Sequence, residues 1–176
     1  VESYDYFGEH GGTDFDTADV GGNLTELCEH LIELQDWLEV DAYLSPARTL
    51  DTFSTTKIDE WLDYTEAFID AVDSEGREIP VLASLPLEGK PLNDKDQRDT
   101  LLNRITGVDP DGFYVSVEFD QSNRYPLSGA SNIYSYLDLL NTLRKNRFEI
   151  LVGHTHHVAH LFMGIGINPF ASGHYN

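Results

Sequence analysis

Positive charge is what this chain has least of. It carries 11 Lys and Arg against 31 Asp and Glu in 176 residues, for a net charge of −20, and only four of the eleven cations are lysine. Direct binding to a nucleic-acid backbone needs a basic stripe, so that class of partner is disfavoured. Cysteine is nearly absent as well. The single Cys28 excludes an internal disulfide framework and any cysteine-based zinc motif, and it fits a cytoplasmic location. No stretch approaches the ~20 consecutive apolar residues that cross a bilayer, so no membrane association is expected. The opening residues Val1 to Tyr6 have no basic flank leading into an apolar run, as a secretory signal would. Both ends look cut, and the chain reads as a piece of something longer.

Acidic residues are plentiful, and they are spread along the chain rather than gathered in blocks. At ordinary ionic strength such an excess repels itself and weakens the compact state. In ~1 M salt the Debye length falls to ~3 Å and the repulsion is largely screened. The composition therefore resembles that of salt-adapted, halophilic proteins. The competing explanation is an acidic surface for a basic partner, but such surfaces usually concentrate their charge.

Residues 1–22 are rich in Gly and Asp and read as a lead-in loop, with a single α/β domain expected over 23–176. Asn23 followed by Glu26 resembles a capping box. Leu24, Leu27, Cys28, Leu31, Leu34 and Leu38 then recur at helical spacing as one buried stripe. A short strand, Asp41 to Pro46, comes next. Thr56 is expected to cap a second helix with Ile58, Trp61, Leu62, Ile69 and Val72 inward, closing near Gly76. The second strand is read as Pro80 to Leu85, and Asn93 is expected to cap a helix carrying Leu101, Leu102 and Ile105. Gly112 to Phe119 is the clearest strand. A helix from about Ser131 precedes a fourth strand over 148–153, a short helix over 155–163 follows, and a fifth strand covers 167–171.

Strands that alternate with amphipathic helices imply βαβ units and a parallel sheet. Two architectures are compatible. A five-stranded flavodoxin-like open sheet suits the length. A partial (β/α) barrel of the TIM type suits the long segments leaving the strands and the alternation in the third strand. There Tyr114, Ser116 and Glu118 form a polar set, while Phe113, Val115, Val117 and Phe119 would face the helices. The barrel fragment is the preferred reading.

Either architecture binds ligands at the carboxyl ends of its strands. That rule selects Ser45 and Arg48, Ser84 and Lys90, Glu118 and Asp120, His154, and finally Ser172 and His174. Glu118 and His154 are the expected acid–base pair, because a neutral imidazole at a strand end can exchange a proton with a neighbouring carboxylate. Arg48 and Lys90 are expected to hold a small polar or anionic substrate, although pairing with the abundant surface carboxylates would account for them equally well. Glu118 has a similar alternative, a pair with Arg124. Ser172 and Gly173 could present backbone N–H groups to a phosphate.

Four of the seven histidines fall within Gly153 to His160. His156 and His160 have the i, i+4 spacing of two imidazoles on one divalent metal ion, but His157 stands where a zincin motif requires glutamate. No phosphate-binding or dinucleotide glycine loop is present, since Gly164-Ile165-Gly166 follows a helix rather than a strand, and the Gly-x-Ser-x-Gly elbow is absent too. Three functions remain open: an acid–base enzyme at strand ends, a non-catalytic binding or interaction module, and a metal-dependent hydrolase built on the His154 to His160 cluster. The charge excess makes one prediction by itself. The melting temperature is expected to rise between dilute buffer and molar KCl, and a melting curve indifferent to KCl would remove the salt-adaptation argument.

Overall fold

The computed structural model describes residues 24–119, 129–153 and 159–167. Helices and strands alternate as α1 (Leu24–Trp37), β1 (Tyr43–Leu44), α2 (Thr55–Ser74), β2 (Val81–Glu88), α3 (Gly89–Leu92), α4 (Lys95–Ile105), β3 (Gly112–Glu118), α5 (Ala130–Lys145), β4 (Glu149–Val152) and α6 (Ala159–Gly164). The strands form one all-parallel sheet in the order β1-β2-β3-β4. This sheet is not closed on itself. No described helix is long and apolar enough to cross a membrane.

Side-chain alternation divides the sheet into two unlike faces. Val81, Ala83, Leu85 and Leu87 of β2 share one side with Phe113 and Val115 of β3 and Ile150 and Val152 of β4, and all are buried. Against them pack Ile58 and Trp61 of α2, Leu101 and Ile105 of α4, and Leu139, Leu140 and Leu143 of α5. Trp61 stacks over Phe113 at 6.4 Å, and Phe148 meets the same ring edge-on at 4.9 Å. A second cluster joins Cys28 and Ile32 of α1 to Tyr43, Phe68, Val72 and Val81 on that same side. The opposite set, Leu82, Ser84 and Pro86 with Tyr114, Ser116 and Leu151, is only half-buried.

Proline inside β2 is tolerated because of where β1 stops. Along the β1-facing edge of β2, the N–H of Ser84 donates to Ser45 Oγ (3.0 Å) and the N–H of Glu88 donates to the Leu50 carbonyl (3.0 Å). Pro86 lies between them on the same edge and has no N–H to satisfy. Its carbonyl accepts from Leu50 N–H (2.9 Å), so the chain leaving β1 returns alongside β2 at an isolated bridge.

The outer edge of β1 is sealed by a side chain. Leu44 N–H donates to Gln35 Oε1 (2.7 Å), and Gln35 Nε2 donates back to the Leu44 carbonyl (3.2 Å). One amide thus takes the place of a neighbouring strand on an edge that would otherwise present unpaired backbone groups.

Several sequence expectations are corrected. The second strand does not end at Leu85: it runs to Glu88 and leads straight into the short α3, Gly89–Leu92. Ser54, not Thr56, caps α2 by accepting from Lys57 N–H, and Asp94, not Asn93, caps α4 by accepting from the N–H groups of Asp96 and Gln97. In each case the true cap sits one or two residues from the expected one and has the extended backbone that a cap needs. Leu34 and Leu38 leave the buried stripe and are exposed, because α1 turns its Cys28 and Ile32 side toward α2. The lead-in over 1–22, most of the fifth strand, and residues 155–158 of the fifth expected helix lie outside the described residues. Gln35→Ala is expected to lower unfolding free energy by about 1–3 kcal/mol, since both Leu44 backbone groups lose their partner. Chemical denaturation measures this, and an unchanged midpoint would mean that the seal carries no stability.

Candidate functional site

The carboxyl ends of the strands meet on the half-buried face. Glu88 and Glu118 are the last residues of β2 and β3, both are exposed, and they are direct register partners. Register partners on adjacent parallel strands stand about 4.8 Å apart and point to the same side. The two carboxylates therefore leave the same edge together, above Pro86 and Ser116 and, one step further down, Ser84 and Tyr114.

Two glycines let side chains close over this edge. A methyl group at Gly153, just past β4, would overlap the hydroxyl end of Tyr114, so the Tyr114 ring lies across the backbone there and carries its hydroxyl to the carboxyl end of β4. Gly153 N–H meanwhile donates to the Val115 carbonyl (2.8 Å), which extends the β3–β4 pairing to this point. A methyl at Gly89 would overlap the ring of Phe119, so the turns that follow β2 and β3 interlock.

Beneath them Phe119 packs on Tyr136 of α5, and Tyr136 packs edge-on against Phe162 of α6 at 5.1 Å. The Tyr136 hydroxyl is buried without a hydrogen-bond partner among the described residues, and burial drives its pKa far above the usual tyrosine value. A proton donor with nothing to receive its bond is uncommon in a core.

The other expected residues are dispersed. Arg48 follows β1 and reaches back to α2, where its Nη1 lies 3.3 Å from Glu60 Oε1; Lys57 joins the same carboxylate at 3.7 Å. Lys90 is exposed on α3, and His160 is exposed on α6. Ser45 is buried and holds β2 in place through its hydroxyl, and Ser84 uses its N–H on Ser45 and its carbonyl on Trp61 Nε1 (2.8 Å). Asp120, Arg124, His154, His156, His157, Ser172 and His174 lie outside the described residues. Among the described residues, no group of three or more His, Cys, Asp or Glu side chains is placed to hold a metal.

Reading the second strand only as far as Leu85 leaves Glu88 out of the sequence-selected residues. The signal was present: Val81, Ala83, Leu85 and Leu87 continue the two-residue period straight through the proline.

Tyr136→Phe is expected to raise stability by about 1 kcal/mol, because it removes a buried hydroxyl that makes no bond. The pH dependence has a definite sign. The folded pKa of Tyr136 is raised, so its contribution is fully present below the unfolded tyrosine value of about 10 and is lost as pH rises above it. Denaturant midpoints of both proteins from neutral to alkaline pH check this, and a less stable phenylalanine variant would show that the hydroxyl has a partner in solution.

The chain matches no protein-family model, no curated protein and no solved structure.

Proposed function

We propose that the protein is an acid–base enzyme acting on a small polar substrate at the carboxyl edge of its sheet, on the face its helices leave uncovered. The observation that carries this reading is the register pair Glu88 and Glu118. Adjacent carboxylates on neighbouring strand ends can divide the two halves of a proton transfer, one accepting while the other holds a hydroxyl or amine of the substrate. The Tyr114 hydroxyl, carried across Gly153, adds a hydrogen-bond donor at the next strand end. His154 follows Gly153 directly in the sequence and remains the proposed partner of Glu118.

The architecture proposed is a barrel-type one. Support comes from the consecutive order β1-β2-β3-β4 with α1, α2, α4 and α5 all packed on one face. In a flavodoxin-like sheet the strand order reverses at one point and helices cover both faces. A half-buried face that none of these four helices packs on, mixing Ser84, Tyr114 and Ser116 with Leu82, Pro86 and Leu151, is compatible with the interior of an incompletely wound barrel.

A specific observation favours a second reading, that of an interaction module. Trp37 is 77% exposed beside exposed Leu34 and Leu38, which makes an apolar patch at the end of α1. Screening small polar fragments against isotope-labelled protein by NMR distinguishes the two. Fragments are expected to perturb amides near 86–90, 114–119 and 153, and the perturbation is expected to weaken in Glu88→Gln and Glu118→Gln. Perturbations confined to 34–38 would favour the module, and no response at the carboxyl edge would overturn the enzyme reading.

A further inference from the structure

Cations are scarce in this chain, and most described ones are neutralised. Arg48 and Lys57 share Glu60, Arg77 meets Asp36 and Glu75, Lys95 meets Asp99, Arg98 meets Asp138, and Arg104 meets Asp59. Lys90, Lys145, Arg144 and Arg147 stand in none of these pairs, and the two arginines lie together. Among the described residues neither guanidinium has a carboxylate within ion-pair distance, although 31 acids are available in the sequence. Both line one cavity of about 350 Å³ at the amino end of β4, together with Phe148, Glu149, Ile150 and the turn at Gly166 and Ile167.

The backbone under Arg147 makes its presence there more telling. The end of α5 is closed by Phe148 N–H donating to the Leu143 carbonyl (3.4 Å) and Arg147 N–H donating to the Arg144 carbonyl (2.9 Å). Arg147 occupies the left-handed position of this turn with φ +71°. Helices usually place glycine or asparagine there, because a Cβ is strained in that conformation. Asn146 stands one residue too early to take the place. Interaction of cations with the helix dipole accounts for Arg144 and Lys145 in the last turn. It does not account for an arginine held at a strained position, nor for two guanidinium groups that border the same cavity.

Gly166, with φ +82°, stands on the opposite wall beside the Arg144 guanidinium, close enough that a methyl group there would be in ordinary van der Waals contact with Nη1 at 3.4 Å. Ile150 and Ile167 are buried and provide an apolar floor. Glu149 adds one carboxylate to the rim.

We propose that this cavity binds a small phosphate monoester bearing hydroxyl groups, at the edge of the sheet opposite to Glu118. Two planar guanidinium groups suit the oxygens of a tetrahedral anion, which they can grip with paired hydrogen bonds. Glu149 can accept from a hydroxyl of the organic part, whose apolar faces rest on Phe148 and the isoleucines. The volume falls within the ~300–1,000 Å³ of small-molecule sites and exceeds what inorganic phosphate needs. This site is independent of the carboxyl-edge reading: Gly112, the register partner of Glu149, is six residues from Glu118 along β3, about 20 Å at the rise of a strand.

Inorganic phosphate and glucose 6-phosphate are the probes, titrated against the whole chain by calorimetry and ³¹P NMR with ionic strength held constant by KCl. Saturable binding is expected for both, tighter for the sugar phosphate. Arg144→Gln and Arg147→Gly are each expected to weaken it about tenfold or more, the loss of a charge-assisted hydrogen bond. Arg147→Gly is also expected to melt at the same or a higher temperature, because glycine relieves the left-handed strain. Loss of affinity without loss of stability separates a ligand contact from a structural one. No saturable binding of either probe, or binding unaltered in both variants, overturns the proposal.

Discussion

The pairing of β2 with β3 over seven consecutive positions, Leu82 with Gly112 through Glu88 with Glu118, is the constraint from which the rest of the molecule follows. A slip of one residue would move Ala83, Leu85 and Leu87 to the uncovered face and bring Ser84 and Pro86 against the helices. The register is fixed because both strands carry their apolar set at matching parity, and Trp61 and Phe113 can stack only when that set faces α2. On the other side of β3 a methyl at Gly112 would overlap the backbone and Cβ of Glu149, so β3 and β4 approach closely there. From the same register comes the placement of Glu88 beside Glu118.

Polar groups that this packing buries are answered one by one. Arg98 is 3% exposed, and its Nε and Nη2 both reach Asp138 Oδ2 (3.1 and 3.0 Å) while Nη1 donates to the Leu92 carbonyl (2.5 Å). One guanidinium thus ties the end of α3 and the body of α4 to α5, and removing Asp138 would leave a buried charge without its counter-ion. Gln35 and Ser45 do the corresponding work at the sheet edges by completing backbone bonds where strands stop short. Among the described residues the hydroxyls of Thr65 and Tyr136 are the exceptions, and Tyr136 lies directly under the edge where the strand ends meet.

The two ends of the sheet consequently differ in chemistry. Its carboxyl edge gathers Glu88, Glu118 and the Tyr114 hydroxyl, and its amino edge gathers Arg144 and Arg147. With most cations elsewhere neutralised by the surrounding acids, the amino-edge cavity is a local reversal of sign in a chain of net charge −20. The acidic remainder of the surface opposes an approaching anion at long range, so short-range contacts with the two guanidinium groups have to carry its binding.

The sequence by itself determined the features that depend on local period and composition. The alternation of helix and strand, the division of β3 into a Phe113 and Val115 side and a Tyr114, Ser116 and Glu118 side, and the scarcity of cations were legible because each is carried by residues two to four positions apart. Tertiary structure alone decided what depends on partners distant in the chain. Pro86 could continue β2 only because β1 had already ended and Leu50 returned beside it, so Glu88 became a strand end rather than a loop residue. Arg48 meets Glu60 of α2, and Leu34 and Leu38 were left outside because α1 turns Cys28 and Ile32 toward α2. The convergence of Arg144 with Gly166 arises likewise from long-range packing. Each of these outcomes is a competition among contacts between remote segments, and a local pattern fixes which side chains are available for it without fixing which contact wins.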